Sequence, residues 1–482
     1  MGNHKPGTLS RMVVGVLAAI LSSALTTAQS GDIPAGFEPL DTSFRAFLQI
    51  HALPGASLAI AKDGRLVFAQ GYGFADVANA RPAEPDSLFR FGSIGKTITA
   101  IAVMKLVESG KLSLDDKAFS ILTNVVPRSG RLGDPRLALV TIRNLLTHSG
   151  GWDAAVSGDP IVAPFSQRIA AAMGVPFPPT PASIISYMLD RPLDFDPGTR
   201  FAYSNFGFLV LGRVIEQTSG EPYADFVQQR ILAPLSIRRM HLGRTPLSLR
   251  MPGEVLYYDY PGAPLVDSLM PDVPGKVSEP YSGIVALESI DSAGAWIASP
   301  IELVRIVTML DGWGVPALLS PESVQQMVTP YLPFLASAWM RGTHSMWDWE
   351  LAWTPRRRTP LGRTTAALSA RAPSSAGQAM VGHGLSPSTA RRRRLCTHRQ
   401  ARQISIALCG VCLAARRSNP SLGSRVTCFN NIFRRPGRSS REGRPCEQVR
   451  EIRVGRNSGD AFLGSGLRWP DVADVTGALG PY

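Results

Sequence analysis

The sequence predicts a mixed α/β chain of the α+β type, and three stretches predict it. Two apolar runs, residues 56–61 and 66–73, flank Lys62-Asp63-Gly64-Arg65, which is the pattern of an antiparallel β-hairpin. Ile98, Ile101, Ala102, Met104 and Leu106 then recur at helical spacing and stop at Gly110. After a loop, residues 208–216 read as a second helix. Antiparallel strands therefore come first in the chain and helices follow.

Taken in order, the chain begins with Lys5 and Arg11, an apolar run over residues 12–25, and the small residues Thr26-Thr27-Ala28. This is the layout of a secretory signal, residues 1–28, too short for a membrane span. Residues 41–50 fit a short amphipathic helix ahead of the hairpin. Residues 141–148 fit a helix that ends in a loop rich in glycine. Residues 154–195 are rich in Pro and Ala and read as an irregular insertion over the surface or the site.

The charge is unevenly placed. Of the formal net charge of +13, residues 356–482 alone carry +17, from 23 arginines, no lysine and 6 acidic residues, which leaves −4 for residues 1–355. All five cysteines also lie beyond residue 355. Arginine without aromatic or lysine interleaving matches no nucleic-acid module, so no nucleic-acid partner is expected. Cys409 and Cys412 lack a second pair at metal-site spacing, so neither a metal nor another cofactor is expected.

The chemistry concentrates at Ser93-Ile94-Gly95-Lys96, where a hydroxyl and an amine stand three residues apart in what reads as the first turn of a helix. A serine needs a neighbouring base to attack at neutral pH, and Lys96 can serve if burial or a cationic neighbour lowers its pKa. Alone, the pair reads as a helix cap and a solvated lysine, and what changes this is its company. Tyr203-Ser204-Asn205 precedes the second helix, so Tyr203 and Asn205 can point into one cleft, where a tyrosine near an ammonium can shuttle a proton. His148 stands on a helix end without a Gly-x-Ser-x-Gly elbow anywhere, and is read as structural.

Ser93-x-x-Lys96 followed by Tyr203-x-Asn205 resembles the serine β-lactamase and penicillin-binding-protein superfamily. Pro54-Gly55-Ala56-Ser57, residues 141–151 and Pro197-Gly198-Thr199 make it most similar to the branch of class C β-lactamases, D,D-peptidases and family VIII esterases. The resemblance covers residues 41–312. It implies a β-lactamase/D,D-peptidase-like fold: an antiparallel sheet flanked by helices, plus an all-helical region, with the site between them. It implies acyl transfer, in which Ser93 attacks a carbonyl, Lys96 and Tyr203 move the proton, and water releases the acyl group. Asn205 would bind the substrate amide or hold Lys96. The Ser93 N–H and a second N–H from a late strand would hold the oxyanion. An exported serine hydrolase, secreted or periplasmic and monomeric, acting on esters, amides or D-amino-acid peptides, is the expectation. A class C-like β-lactamase and an inactive acyl-binding protein are its alternatives.

The late strand should carry Lys-Thr-Gly or a His-containing variant, continued by Ser-Leu-Pro-Gly. The chain offers Gly382-His383-Gly384, so His383 and Gly384 are the candidate substrate-binding residues of this motif. Leu385-Ser386-Pro387 and then Arg391–Arg394 follow instead of the family pattern. Read one nucleotide later, codons CAC GGG CTC TCT CCC A would give Thr-Gly-Ser-Leu-Pro. The expectation is a hydrolase domain over residues 41–350 and an aberrant, out-of-frame tail over residues 351–482.

Overall fold

The computed structural model describes residues 29–30, 32–259, 262–312, 317–329, 379–385 and 403–410. The expected signal, residues 1–28, and most of the Arg-rich tail lie outside the described residues.

Helix α1 (Glu38–Ile50) starts with Pro39 in its first turn and turns Phe44 and Leu48, four residues apart, inward. The hairpin follows as β1 (Gly55–Lys62) and β2 (Arg65–Asp76), antiparallel throughout. Its turn places Asp63 at φ 51° and Gly64 at φ 78°, the two positive values that a tight two-residue hairpin turn requires. Alternate residues of β1 serve opposite faces. Leu58 and Ile60, with Phe68 and Tyr72 of β2, pack on Phe44 and Leu48, whereas Ala59 and Ala61 join the main core. Both faces are thus covered, which is why β1 reads as one apolar run.

Helix α2 (Gly95–Glu108) is buried almost all round, with Ile98, Ile101, Val103, Met104 and Leu106 in the core. Further along the chain come α3 (Ile142–Leu146), α4 (Ala154–Ser157), α5 (Phe165–Met173) and α6 (Pro181–Met188). The last three correct the expectation that residues 154–195 are irregular. Thr180 caps α6 by accepting the Ser183 N–H, and Pro181 sits in the first turn, where its missing N–H costs nothing.

The longest helix of this region, α7 (Asn205–Ser219), is capped by the Ser204 hydroxyl and packs against α2. The short α8 (Asp291–Gly294) lies beside both, and α9 (Pro300–Leu310) covers the sheet, packing on β1. Between α8 and α9, Trp296–Ala298 forms a small three-stranded sheet with Phe89–Arg90 and His241–Leu242. That sheet lies at the head of the segment that leads into α2.

Two strands come from beyond residue 350: β3 (Ala379–Leu385) and β4 (Gln403–Gly410). The main sheet runs Gln29–Ser30, β2, β1, β4, β3, with every neighbour antiparallel. Ile406 pairs with Ile60 of β1, and His383 pairs with Ser405, so β3 forms the sheet edge next to the helical region. The architecture is the expected antiparallel sheet flanked by helices with an all-helical region alongside.

Candidate active site

Ser93 stands in a 3-10 turn, Gly92–Ile94, that runs directly into α2, so it lies just ahead of the α-helix rather than inside its first turn. The turn is braced from behind by Gly294 of α8. A Cβ at that position would sit 3.0 Å from the Gly92 carbonyl carbon and 3.2 Å from the Ser93 nitrogen, closer than side chains normally pack. The absence of a side chain at Gly294 is what lets α8 close against the serine turn.

Lys96, in the first turn of α2, is buried with 6% of its surface exposed. Its Nζ donates to the Asn205 Oδ1 at 2.8 Å and to the Ala293 carbonyl at 2.6 Å. The ammonium also stands 4.9 Å from the ring centre of Tyr203 and 5.6 Å from that of Phe208. Acceptors and ring faces both favour a charged amine. Its burial works the other way, toward the neutral amine that could act as a base.

Tyr203 stands in the loop just ahead of α7. Its hydroxyl is 2.8 Å from Ser93 Oγ and 3.1 Å from Asn205 Oδ1. A phenol carries one proton, so it can donate to one of these oxygens at a time. When it donates to Asn205, a lone pair faces Ser93. Ser93, Lys96, Tyr203 and Asn205 therefore form one connected set, although 112 positions separate its first and last members in sequence.

Asp159 joins this set and was not picked out by the sequence reading. Its Oδ2 accepts from Asn205 Nδ2 at 2.7 Å. Burial pushes its carboxyl above the ordinary value, against the downward pull of that bond, of the Ile161 N–H and of the Lys96 charge. An aspartate in a stretch rich in Pro and Ala gives no spacing signal that would have singled it out. His148 is structural in its described contacts: its Nδ1 accepts the Ser204 N–H at 3.1 Å, and its ring lies 4.6 Å from that of Tyr203. It holds the backbone on which Tyr203 and Ser204 stand, and at φ 52° it takes a conformation uncommon for a non-glycine residue.

Strand β3, which carries His383 and Gly384, runs alongside the Gly92–Ile94 turn. The backbone of the late motif is therefore brought to the Ser93 turn. Among the described residues, no group of three or more His, Cys, Asp or Glu could hold a metal. Cys412 lies outside the described residues. No helix among the described residues is long and apolar enough to cross a membrane.

Residues 40–384 match the Beta-lactamase family, nearly three quarters of the chain. The chain belongs to the beta-lactamase family. Its match ends at Gly384, inside β3. Among curated relatives, Esterase EstB of Burkholderia gladioli is 33% identical over 210 residues, which is 41% of this chain and 50% of the esterase. Penicillin-binding protein 4* of Bacillus subtilis (strain 168) is 28% identical over 234 residues, 46% of this chain and 44% of that protein. The matches thus span about half the length of these relatives. Among solved structures, the octameric penicillin-binding protein homologue from Pyrococcus abyssi superposes with a TM-score of 0.51 at 21% identity, over 82% of this chain and 77% of its own. That likeness establishes the shared fold.

Proposed function

We propose that the protein is an exported serine hydrolase that works through a covalent acyl-serine intermediate, with esters as its first substrate class and amides or D-amino-acid peptides as the others. The observation that carries this reading is the unbroken set of contacts from Ser93 through Tyr203 and Asn205 to Lys96. The ester preference draws on the likeness to Esterase EstB.

In the proposed reaction Tyr203 enters as the phenolate paired with the Lys96 ammonium, and Ser93 Oγ bonds to the substrate carbonyl carbon while its proton passes to that phenolate oxygen. The ammonium of Lys96, close to the Tyr203 ring and bound to Asn205, stabilises the phenolate's negative charge. The carbonyl oxygen takes the negative charge and is received by the Ser93 N–H and by a backbone N–H of β3. As the carbonyl re-forms, the bond to the leaving group breaks and Tyr203 returns the proton to that group. Water then repeats the sequence on the acyl-serine and frees Ser93. His383 and Gly384 are assigned to the substrate-binding edge through their place on β3. Residues 1–28 act as the export signal, the working form is a monomer, and residues 351–482 include out-of-frame sequence.

A second reading is favoured by one observation, the end of the family match at Gly384 where the sequence turns Arg-rich. In that reading the scaffold binds acyl groups without turnover. Hydrolysis of p-nitrophenyl acetate, a cephalosporin and a D-alanyl peptide by the purified protein and its Ser93→Ala variant separates the cases. Ester turnover that vanishes in the variant supports the proposal. Turnover of the cephalosporin alone makes the protein a β-lactamase, and no turnover of any of the three selects the binding reading.

A further inference from the structure

We infer that Asp159 is a positioning residue for the Ser93 centre, acting by fixing which end of the Asn205 amide faces the nucleophile. The inference rests on the acyl-serine reading and deepens it. An asparagine side chain has a donor end and an acceptor end of nearly equal size, so its orientation is decided by its partners. On one side of Asn205 stand two donors, Lys96 Nζ at 2.8 Å and the Tyr203 hydroxyl at 3.1 Å, both on Oδ1. On the other side stands the Asp159 carboxylate, 2.7 Å from Nδ2. An ammonium only donates and an ionised carboxylate only accepts. Rotating the amide by half a turn would set donor against donor at Lys96 and acceptor against acceptor at Asp159.

The consequence reaches the reacting atoms through Tyr203. With Oδ1 facing it, the Tyr203 hydroxyl can donate its hydrogen bond to Asn205 and keep a lone pair to accept one from the Ser93 hydroxyl, 2.8 Å away. With the amide turned round, Nδ2 would donate to that oxygen and occupy the lone pair. Asp159 is well placed to prevent this because its own loop is pinned. The Ile161 N–H donates to Asp159 Oδ1 at 3.3 Å and the Val162 N–H to the Asp159 carbonyl at 3.1 Å. The Ala163 N–H then donates to the Ile284 carbonyl at 2.8 Å, tying the loop to a distant segment.

The test compares Asp159→Ala with Asp159→Asn in the full-length protein, since an asparagine can still offer its carbonyl oxygen to Asn205 Nδ2. Asp159→Ala lowers kcat for p-nitrophenyl acetate by about 10- to 100-fold with KM within about threefold, the cost of a misplaced catalytic group. Asp159→Asn recovers most of that loss. Independently of turnover, protein labelled with 15N-asparagine shows one Asn205 side-chain N–H shifted and protected from exchange in the wild type and in Asp159→Asn, and not in Asp159→Ala. Equal kcat in wild type and Asp159→Ala overturns the inference, as does an Asp159→Asn variant as slow as Asp159→Ala, which would make charge rather than orientation the cause. An Asn205 signal indifferent to Asp159→Ala also overturns it. Failure of the wild type to hydrolyse the ester would count against the acyl-serine reading, while the Asn205 signals still decide the amide orientation.

Discussion

The two walls that meet at Ser93 are built in different ways. The helical wall works through side chains: Ser93, Lys96, Tyr203 and Asn205 reach one another across the core, and each contact depends on a particular atom. The sheet wall works through backbone. Strand β4 pairs with β1 and β3 pairs with β4 by main-chain ladders, which any residue but proline can join. The helical wall keeps every residue of the family pattern, whereas the sheet wall departs from it after Gly384 and still supplies strands. Backbone pairing tolerates a changed sequence in a way that a nucleophile and its base do not.

Removing the sheet wall should have the largest effect. A chain ending at residue 350 loses β3 and β4, leaving the β1 edge and part of the face under α9 unpaired, so it should lose its cooperative melt and aggregate. Circular dichroism and light scattering read this directly. A truncated chain with an unchanged melt and full ester turnover would mean that the helical wall suffices. Resequencing the gene addresses the same wall, because an unbroken frame with the present codons would end the frame-slip account of the tail.

Within the helical wall, Tyr203→Phe removes the proposed proton carrier and keeps the ring beside Lys96 and His148. Turnover should fall about 100- to 10,000-fold with little change in melting temperature. A smaller effect is expected where the wall is only braced. Gly294→Ala should slow kcat by about 10-fold by pressing a methyl group on the Gly92–Ser93 turn, with KM nearly unchanged.

The smallest effect lies far from the chemistry. Arg136, with the Leu193 N–H, holds the Asp134 carboxyl at about 2, below its ordinary 3.8. A depressed carboxyl stabilises the folded state above pH 4, and that contribution fades as pH falls from about 4 to 2. Asp134→Asn should therefore lower the melting temperature by about 2–4 °C at pH 7, with the difference shrinking toward pH 2, and leave ester turnover intact.

The hairpin, α2, α7 and the four residues Ser93, Lys96, Tyr203 and Asn205 were legible in the sequence because each depends on short-range spacing. Asp159 was not, since its contact with Asn205 spans 46 positions and nothing near it marks the pairing. The brace at Gly294 and the Ala293 carbonyl that receives Lys96 were hidden for the same reason, 197 positions from Lys96 in the latter case. Residues 154–195 misled because their prolines read as breakers, whereas Pro181 opens a helix and the alanines fill α5. The structural reading of His148 rested on the helix ending in a Gly-rich loop and on the missing elbow, whereas the Thr141–Asn144 capping box that starts this helix became visible only in the structure.

The central claim is that Ser93 is an activated nucleophile, and the most direct measurement is an intact mass spectrum of the purified protein with and without a fluorophosphonate, followed by peptide mapping. The account predicts a single phosphonyl adduct on Ser93 in the wild type and none in Ser93→Ala. Wild-type protein of full mass that takes up no adduct, or takes it up at another residue, would contradict it.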